Sequence, residues 1–214
     1  MKVLGCTGGI GSGKSYVANI FGKMGIPLYD SDYRAKFLYD SDRQLRSQMI
    51  ALLGEGIVKD GIIQRGVIAS MIFNDKNLLT QVEALVHPAV MRDFCKWKES
   101  LKNESNYCNA PFVIMESAIL LEKPAVRACA HKVLTVSAPL ELRIERVMAR
   151  DNVTRKQVLE RMSAQWSDNE RAENAAYYTE KETLTEIFQH LPQIEKEYIN
   201  ILEPSVGAGN FIPF

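Results

Sequence analysis

Residues 8–15 read GGIGSGKS, Gly8 to Ser15, directly behind the apolar opening MKVLGCT. Four glycines in eight residues strip side-chain restraint from the chain just as it enters the fold, so this position demands bare backbone. The stretch fits G-x-x-x-x-G-K-[ST]. In front of it, KVLGCT is a short apolar run suited to a buried strand. Behind it, Lys14 to Lys23 places Val17, Ile20 and Phe21, with the following Met24, at helical spacing. Strand, glycine loop and helix together are the context that gives the pattern its meaning as a phosphate-binding loop. Such a loop wraps backbone N–H groups around a phosphate chain, and the helix N-terminus adds partial positive charge. Gly11, Ser12, Gly13 and Tyr16 contribute backbone, Lys14 bridges the β and γ phosphates, and the Ser15 hydroxyl takes one position on a magnesium ion. A glycine-rich turn followed by an unrelated lysine leaves the agreement of pattern and context unexplained. A nucleoside triphosphate is the expected ligand.

Outward from the loop, strand-like and helix-like segments alternate. IPLYD reads as a second strand closed by Ser31 and Asp32, with helical YRAKFLY behind it. Long helical stretches follow from about Arg43 to Leu53 and from Lys76 to Leu101, flanking a turn at KDG with no buried strand between them, the pattern of a helical insertion. APFVIMES and HKVLTVSAP are two further buried-strand candidates. Ser137 to Gln165 returns to helix, and Lys181 to Ile201 reads as a closing amphipathic helix with Leu184, Ile187, Phe188, Leu191, Ile194 and Tyr198 on one face. Strands separated by helices predict an α/β fold with a parallel sheet flanked by helices. The expected division is a nucleotide-binding core of residues 1–33 and 106–214, an insertion at 34–105, and a lid near 138–166.

The bulk properties narrow the function further. The chain has 214 residues, 46% of them hydrophobic, enough to bury a core without disulfides or metals. Its 26 basic and 26 acidic side chains cancel, so the electrostatic footprint of a nucleic-acid binder is missing. Cys6, Cys95, Cys108 and Cys129 form no CxxC pair, the usage expected of reduced thiols in the cytosol. The apolar run before the glycines is too short for a signal peptide, and nothing approaches the ~20 apolar residues of a membrane span. A soluble cytoplasmic protein is the expectation.

Phosphoryl transfer needs more than a phosphate cradle. Asp30 and Asp32 stand two apart near the C-terminal end of the second predicted strand, the end at which open parallel sheets bind ligands. Two carboxylates there divide the work, one orienting magnesium through water and one accepting the proton of an attacking hydroxyl. Helix capping by Ser31 or Asp32 is the competing role and is compatible with the chemical one. In LRIERVMARD, Arg143, Arg146 and Arg150 are arginines suited to a closing lid. Arg146 and Arg150 share a helical face, where pairing with glutamates such as Glu145 and Glu141 is the alternative. Arg161 in LERMSAQ is open to the same two readings.

Taken in order, TGGIGSGKS, YDSDYRAK, DGIIQRGVIASMIF, LVHPAV, ESAILLE, ERVMARD and ERMSAQ resemble the dephospho-coenzyme A kinases, across roughly Lys2 to Gln165. Two departures stand out: Tyr16 replaces the small hydroxyl residue usual after GKS, and Ala118 stands where that family commonly has proline. The resemblance implies transfer of the γ-phosphate of ATP to the 3'-hydroxyl of dephospho-coenzyme A, with Mg2+ as cofactor. It implies Lys14, Asp32 and Arg146 as catalytic groups, with Asp32 the general base. Arg146 and Arg150 then join the ATP site, and Ser15 and Asp30 serve the metal. Asp32, Arg65, His87 and Arg161 face the acceptor. A GTPase switch is disfavoured because no N/T-K-x-D guanine motif occurs. Another P-loop small-molecule kinase, acting on a nucleoside or a nucleoside monophosphate, shares every feature except what the insertion grips.

Overall fold

A computed structural model describes residues 1–73, 75–107 and 110–175. The chain enters β1 (Lys2–Thr7), passes the glycine loop into α1 (Lys14–Lys23), and returns through β2 (Leu28–Asp30). Helices α2 (Ser31–Ser41) and α3 (Arg43–Leu53) follow, then β3 (Val58–Lys59), β4 (Ile62–Ile63), α4 (Arg65–Phe73) and α5 (Lys76–Ser100). The chain then forms β5 (Phe112–Glu116), α6 (Pro124–Arg127), β6 (Lys132–Thr135), α7 (Leu140–Asp151), α8 (Arg155–Ser163) and α9 (Asp168–Ala175). The closing helix expected over 181–201 lies outside the described residues. No described helix is long and apolar enough to cross a membrane.

The principal sheet has the order β2-β5-β1-β6. The inner strand β1 pairs in parallel with β5, Leu4 opposite Ile114, and with β6, Cys6 opposite Leu134. A strand covered on both faces reads as an unbroken apolar run, which is why FVIME is buried at every position. On one face, Leu4, Cys6, Ile114 and Leu134 meet Ala18 and Phe21 of α1. On the other, a Cβ at Gly5 would lie 3.1 Å from that of Ala130, so the absent side chain lets the Leu120 and Ala130 segments close over β1.

The described residues form two compact units, one of residues 1–29 with those described between 104 and 175, the other Asp30–Asn103. The second unit has its own core of Leu38, Leu45, Met49, Ile57, Ile68, Val86 and Phe94. Arg34 of α2 grips Asp93 of α5 through Nε at 2.7 Å and Nη2 at 2.6 Å, the two-pronged geometry that only a guanidinium offers a carboxylate. The turn at Lys59, Asp60 and Gly61 is the tip of a short antiparallel ladder, β3 with β4, that the helical pattern around it concealed. Asp60 (φ 50°) and Gly61 (φ 76°) take the left-handed conformation such a tip requires.

The helical stretch expected across Ser137 to Gln165 is broken in two. Asn152, at φ 53° and ψ 48°, ends α7 in a left-handed cap, and Thr154 opens α8 with a reciprocal capping box to Gln157. Asn is the non-glycine residue that tolerates this conformation best, so the break is local chemistry that apolar periodicity does not register.

The centre of the sheet makes a stability test. Ile114→Ala removes a fully buried side chain from an inner strand. The expected loss is about 2–5 kcal/mol, read as a lower urea midpoint at unchanged slope.

Candidate functional site

The glycine loop leaves the C-terminal end of β1 and returns as α1. Gly11 (φ 79°) and Gly13 (φ 98°) hold left-handed conformations, and the Ser12 amide donates to the Gly9 carbonyl at 3.1 Å. Elsewhere Asp30, Asp42, Asp75 and Thr154 cap their helices with side-chain oxygens, whereas α1 begins at Gly13 with no side-chain cap. Its first-turn N–H groups therefore face the loop without an internal acceptor of that kind, the arrangement that favours an anion. The Ser12 hydroxyl, in a residue 4% exposed, has no hydrogen-bond partner among the described residues. A buried unsatisfied hydroxyl costs free energy unless a ligand completes it.

A cavity of about 200 Å³ opens over this loop. Gly11, Ser12, Gly13, Lys14, Ser15 and Tyr16 line it from one side, and Arg146, Val147 and Arg150 of α7 from the other. The structure thus brings together the loop residues and both arginines expected from the sequence. Arg146 does not take the glutamate pairing open to it on its helix; its Nη1 reaches the Gly11 carbonyl at 3.4 Å. Arg150 grips Asp151 through Nε at 2.7 Å. The Arg150 guanidinium first, then Arg161, holds the Asp151 carboxyl below the usual carboxylate range. Arg161 is absent from the lining: from α8 it donates to Asp151 at 2.8 Å.

Glu116, which the motif reading passed over, belongs to this site. It ends β5, is 4% exposed, and accepts a 2.5 Å hydrogen bond from the Ser15 hydroxyl. The signal was present in APFVIMES, an apolar strand closing on an acid at the end where parallel sheets bind ligands. The partner lies 101 residues away, a separation no spacing rule spans. Beneath the pair, burial pushes the Cys6 thiol up to about 12, with the Glu116 charge adding to it and Lys14 opposing it. The thiol stays protonated and acts as core.

The remaining candidates lie in the unit Asp30–Asn103. Asp30, rather than Ser31 or Asp32, is the α2 cap, its Oδ1 accepting from the Tyr33 amide at 2.9 Å. Asp32 is exposed in the first turn of α2. Arg65 is exposed at the start of α4; burial pushes the Tyr39 phenol up while the Arg65 charge pulls it down. His87 is half-buried in α5 before Pro88. No group of three or more metal-ligating His, Cys, Asp or Glu side chains occurs among the described residues.

Comparison with known proteins points one way. A family model described as dephospho-CoA kinase matches residues 2–186. A dephospho-CoA kinase of Porphyromonas gingivalis is 38% identical over 179 residues, 84% of this chain and 85% of that protein. One from Thermus thermophilus is 35% identical over 178 residues, 83% and 82% of the respective chains. A crystal structure of a Thermus thermophilus protein matches with a TM-score of 0.73 at 32% identity, covering 90% of this chain and 98% of that one.

The loop geometry has a direct test. A Cβ at Gly11 would be strained at φ 79° and sit 2.5 Å from the Arg143 carbonyl oxygen. Strain of about 1–3 kcal/mol should weaken a fluorescent ATP analogue roughly tenfold or more in Gly11→Ala, with the circular dichroism spectrum retained. Unchanged affinity would remove the loop from the binding site.

Proposed function

The chain belongs to the dephospho-CoA kinase family, and from that premise we propose how its own residues move the γ-phosphate of ATP onto the 3'-hydroxyl of dephospho-CoA. The observation that carries this reading is the bare loop between β1 and an α1 without a side-chain cap, holding the unpartnered Ser12 hydroxyl and backed by the Ser15–Glu116 pair. Main-chain amides of Gly11, Gly13 and the first turn of α1 cradle the phosphate chain, and the Lys14 ammonium neutralises the β and γ groups. Arg146 and Arg150, on the opposite wall, face the charge that spreads over the equatorial oxygens as transfer proceeds.

Asp32 is the base. Its carboxylate takes the proton of the acceptor hydroxyl as that oxygen bonds to phosphorus and the bond to the β-phosphate oxygen of ADP breaks. An exposed carboxylate in the first turn after β2 suits that work. The insertion expected at 34–105 is the proposed acceptor-binding region, and Arg65, His87 and Arg161 are the proposed contacts of dephospho-CoA.

Magnesium fits the donor set here. The Ser15 hydroxyl and the Glu116 carboxylate beside it are hard oxygen donors, and Asp30, whose Oδ1 caps α2, has a second oxygen for a water-mediated contact. When bound, the ion neutralises charge on the phosphates and orients them.

Three measurements check these roles. Asp32→Asn should lower kcat by about 10²–10⁴-fold in a coupled assay while ATP binding by calorimetry is retained. The same assay run over hydroxyl acceptors should favour dephospho-CoA, and faster turnover of nucleosides or nucleoside monophosphates would overturn the acceptor. Glu116→Gln, which keeps the shape but removes the charge, should raise the magnesium concentration for half-maximal rate by about 10–100-fold. An unchanged magnesium curve would leave Glu116 as the Ser15 anchor alone.

A further inference from the structure

Against the glycine loop, and outside the lining of the cavity, lies a charge cluster built on two buried arginines that the transfer chemistry does not use. Arg143 of α7 is 4% exposed. Its Nε donates to the Ile10 carbonyl at 3.0 Å, its Nη1 to Asp168 Oδ2 at 2.5 Å, and its Nη2 lies where a Cβ on Gly9 would stand. Its own carbonyl backs Gly11. The other end of the same loop residue is held as well, because the Ile10 amide donates to Gln165 Oε1 at 2.9 Å. Asp168 turns its second oxygen to Arg171 Nη1 at 3.4 Å, and Arg171, 2% exposed, reaches Glu122 Oε1 at 3.4 Å. Glu122 Oε1 also receives the Trp166 amide at 3.1 Å. Two guanidiniums and two carboxylates balance, so the two buried arginines are neutralised by the half-buried Glu122 and by Asp168, whose carboxylate stays open to solvent.

The chemistry of the loop gives this cluster a task. Glycine loses more conformational freedom on ordering than any other residue, and a loop ordered only when its ligand arrives subtracts that loss from the affinity. A loop held beforehand does not. The Ile10 and Ser12 amides are already engaged, by Gln165 and by the Gly9 carbonyl, which orients the peptides between them. Only a guanidinium can hold the Ile10 carbonyl and the Asp168 carboxylate at once from one planar head.

We infer that Arg143, acting with Gln165, is a positioning residue that clamps both main-chain groups of Ile10 and so presets the phosphate loop for the triphosphate, making donor affinity depend on the α7–α9 segment. The inference rests on the reading of the loop as the ATP site.

The test separates the two. Arg143→Lys keeps the charge but loses the fork. It should raise the KM and the calorimetric Kd for ATP roughly tenfold or more, with the KM for dephospho-CoA within about twofold and the nucleotide-free melting temperature near wild type. Amide hydrogen exchange over residues 9–13 should quicken in the nucleotide-free protein. Gln165→Leu should behave alike, and Gln165→Glu, which keeps an acceptor oxygen for the Ile10 amide, should recover. Arg155→Ala, which removes a surface pair with Glu141, is the control expected to leave all of these unchanged. If Arg143→Lys does not fold, the charge-balanced pair Arg143→Gln with Asp168→Asn carries the same measurement. ATP affinity unchanged in these variants, or lost only in step with global stability, would overturn the inference. Wild-type protein that binds no ATP would overturn the nucleotide reading and the inference with it.

Discussion

The rest of this structure depends on one close approach: the loop between Gly8 and Ser15 lies against Arg143 of α7 while main-chain amides within it stay open to the anion proposed to bind there. At Gly9 and Gly11 no side chain fits. A Cβ at Gly11 would press on the Arg143 backbone, and one at Gly9 on its guanidinium. The glycines therefore answer two demands, access in front and contact behind, and the left-handed conformations at Gly11 and Gly13 let the chain satisfy both within a single turn.

The sheet is what makes the loop worth bracing. An inner strand paired on both sides delivers it at a defined height, and β5 alongside brings Glu116 to the Ser15 hydroxyl. Polar groups at such depth are costly unless each finds a partner. Glu116 finds Ser15, Arg143 finds Ile10 and Asp168, and Arg171 finds Asp168 and Glu122. Cys6 gives the contrasting solution: fully buried near Glu116 and Lys14, it keeps its proton and makes only a weak contact to the Lys14 carbonyl at 3.8 Å.

Asp30 has a structural role beside the metal contact proposed for it. As a cap it fixes the first turn of α2, and so the direction in which Asp32 leaves that turn. Within that same unit the core of α3 and α5 and the Arg34–Asp93 fork hold α2 in place. The carboxylate proposed for catalysis thus sits on a regular helix, which carries a reactive group with less positional spread than a free loop.

What the sequence determined by itself was whatever its short-range pattern encodes. KVLGCT, IPLYD, APFVIMES and HKVLTVSAP each contain a strand, and Lys14–Lys23 is a helix to the residue, because alternation, apolar runs and 3.6-residue spacing are properties of neighbours in the chain. The phosphate loop was legible for the same reason, its requirement for bare backbone falling within eight consecutive residues. The break at Asn152 and the ladder at Asp60 and Gly61 were written locally too, but in turn chemistry that a reading by hydrophobic period overlooks. Only the tertiary structure decided that Glu116 meets Ser15 across 101 residues, or that Ile10 is held by Arg143 and Gln165 from 133 and 155 residues away. Sequence records which groups need a partner. Which partner each receives is set by strand order and helix packing, and these emerge only when the whole core closes.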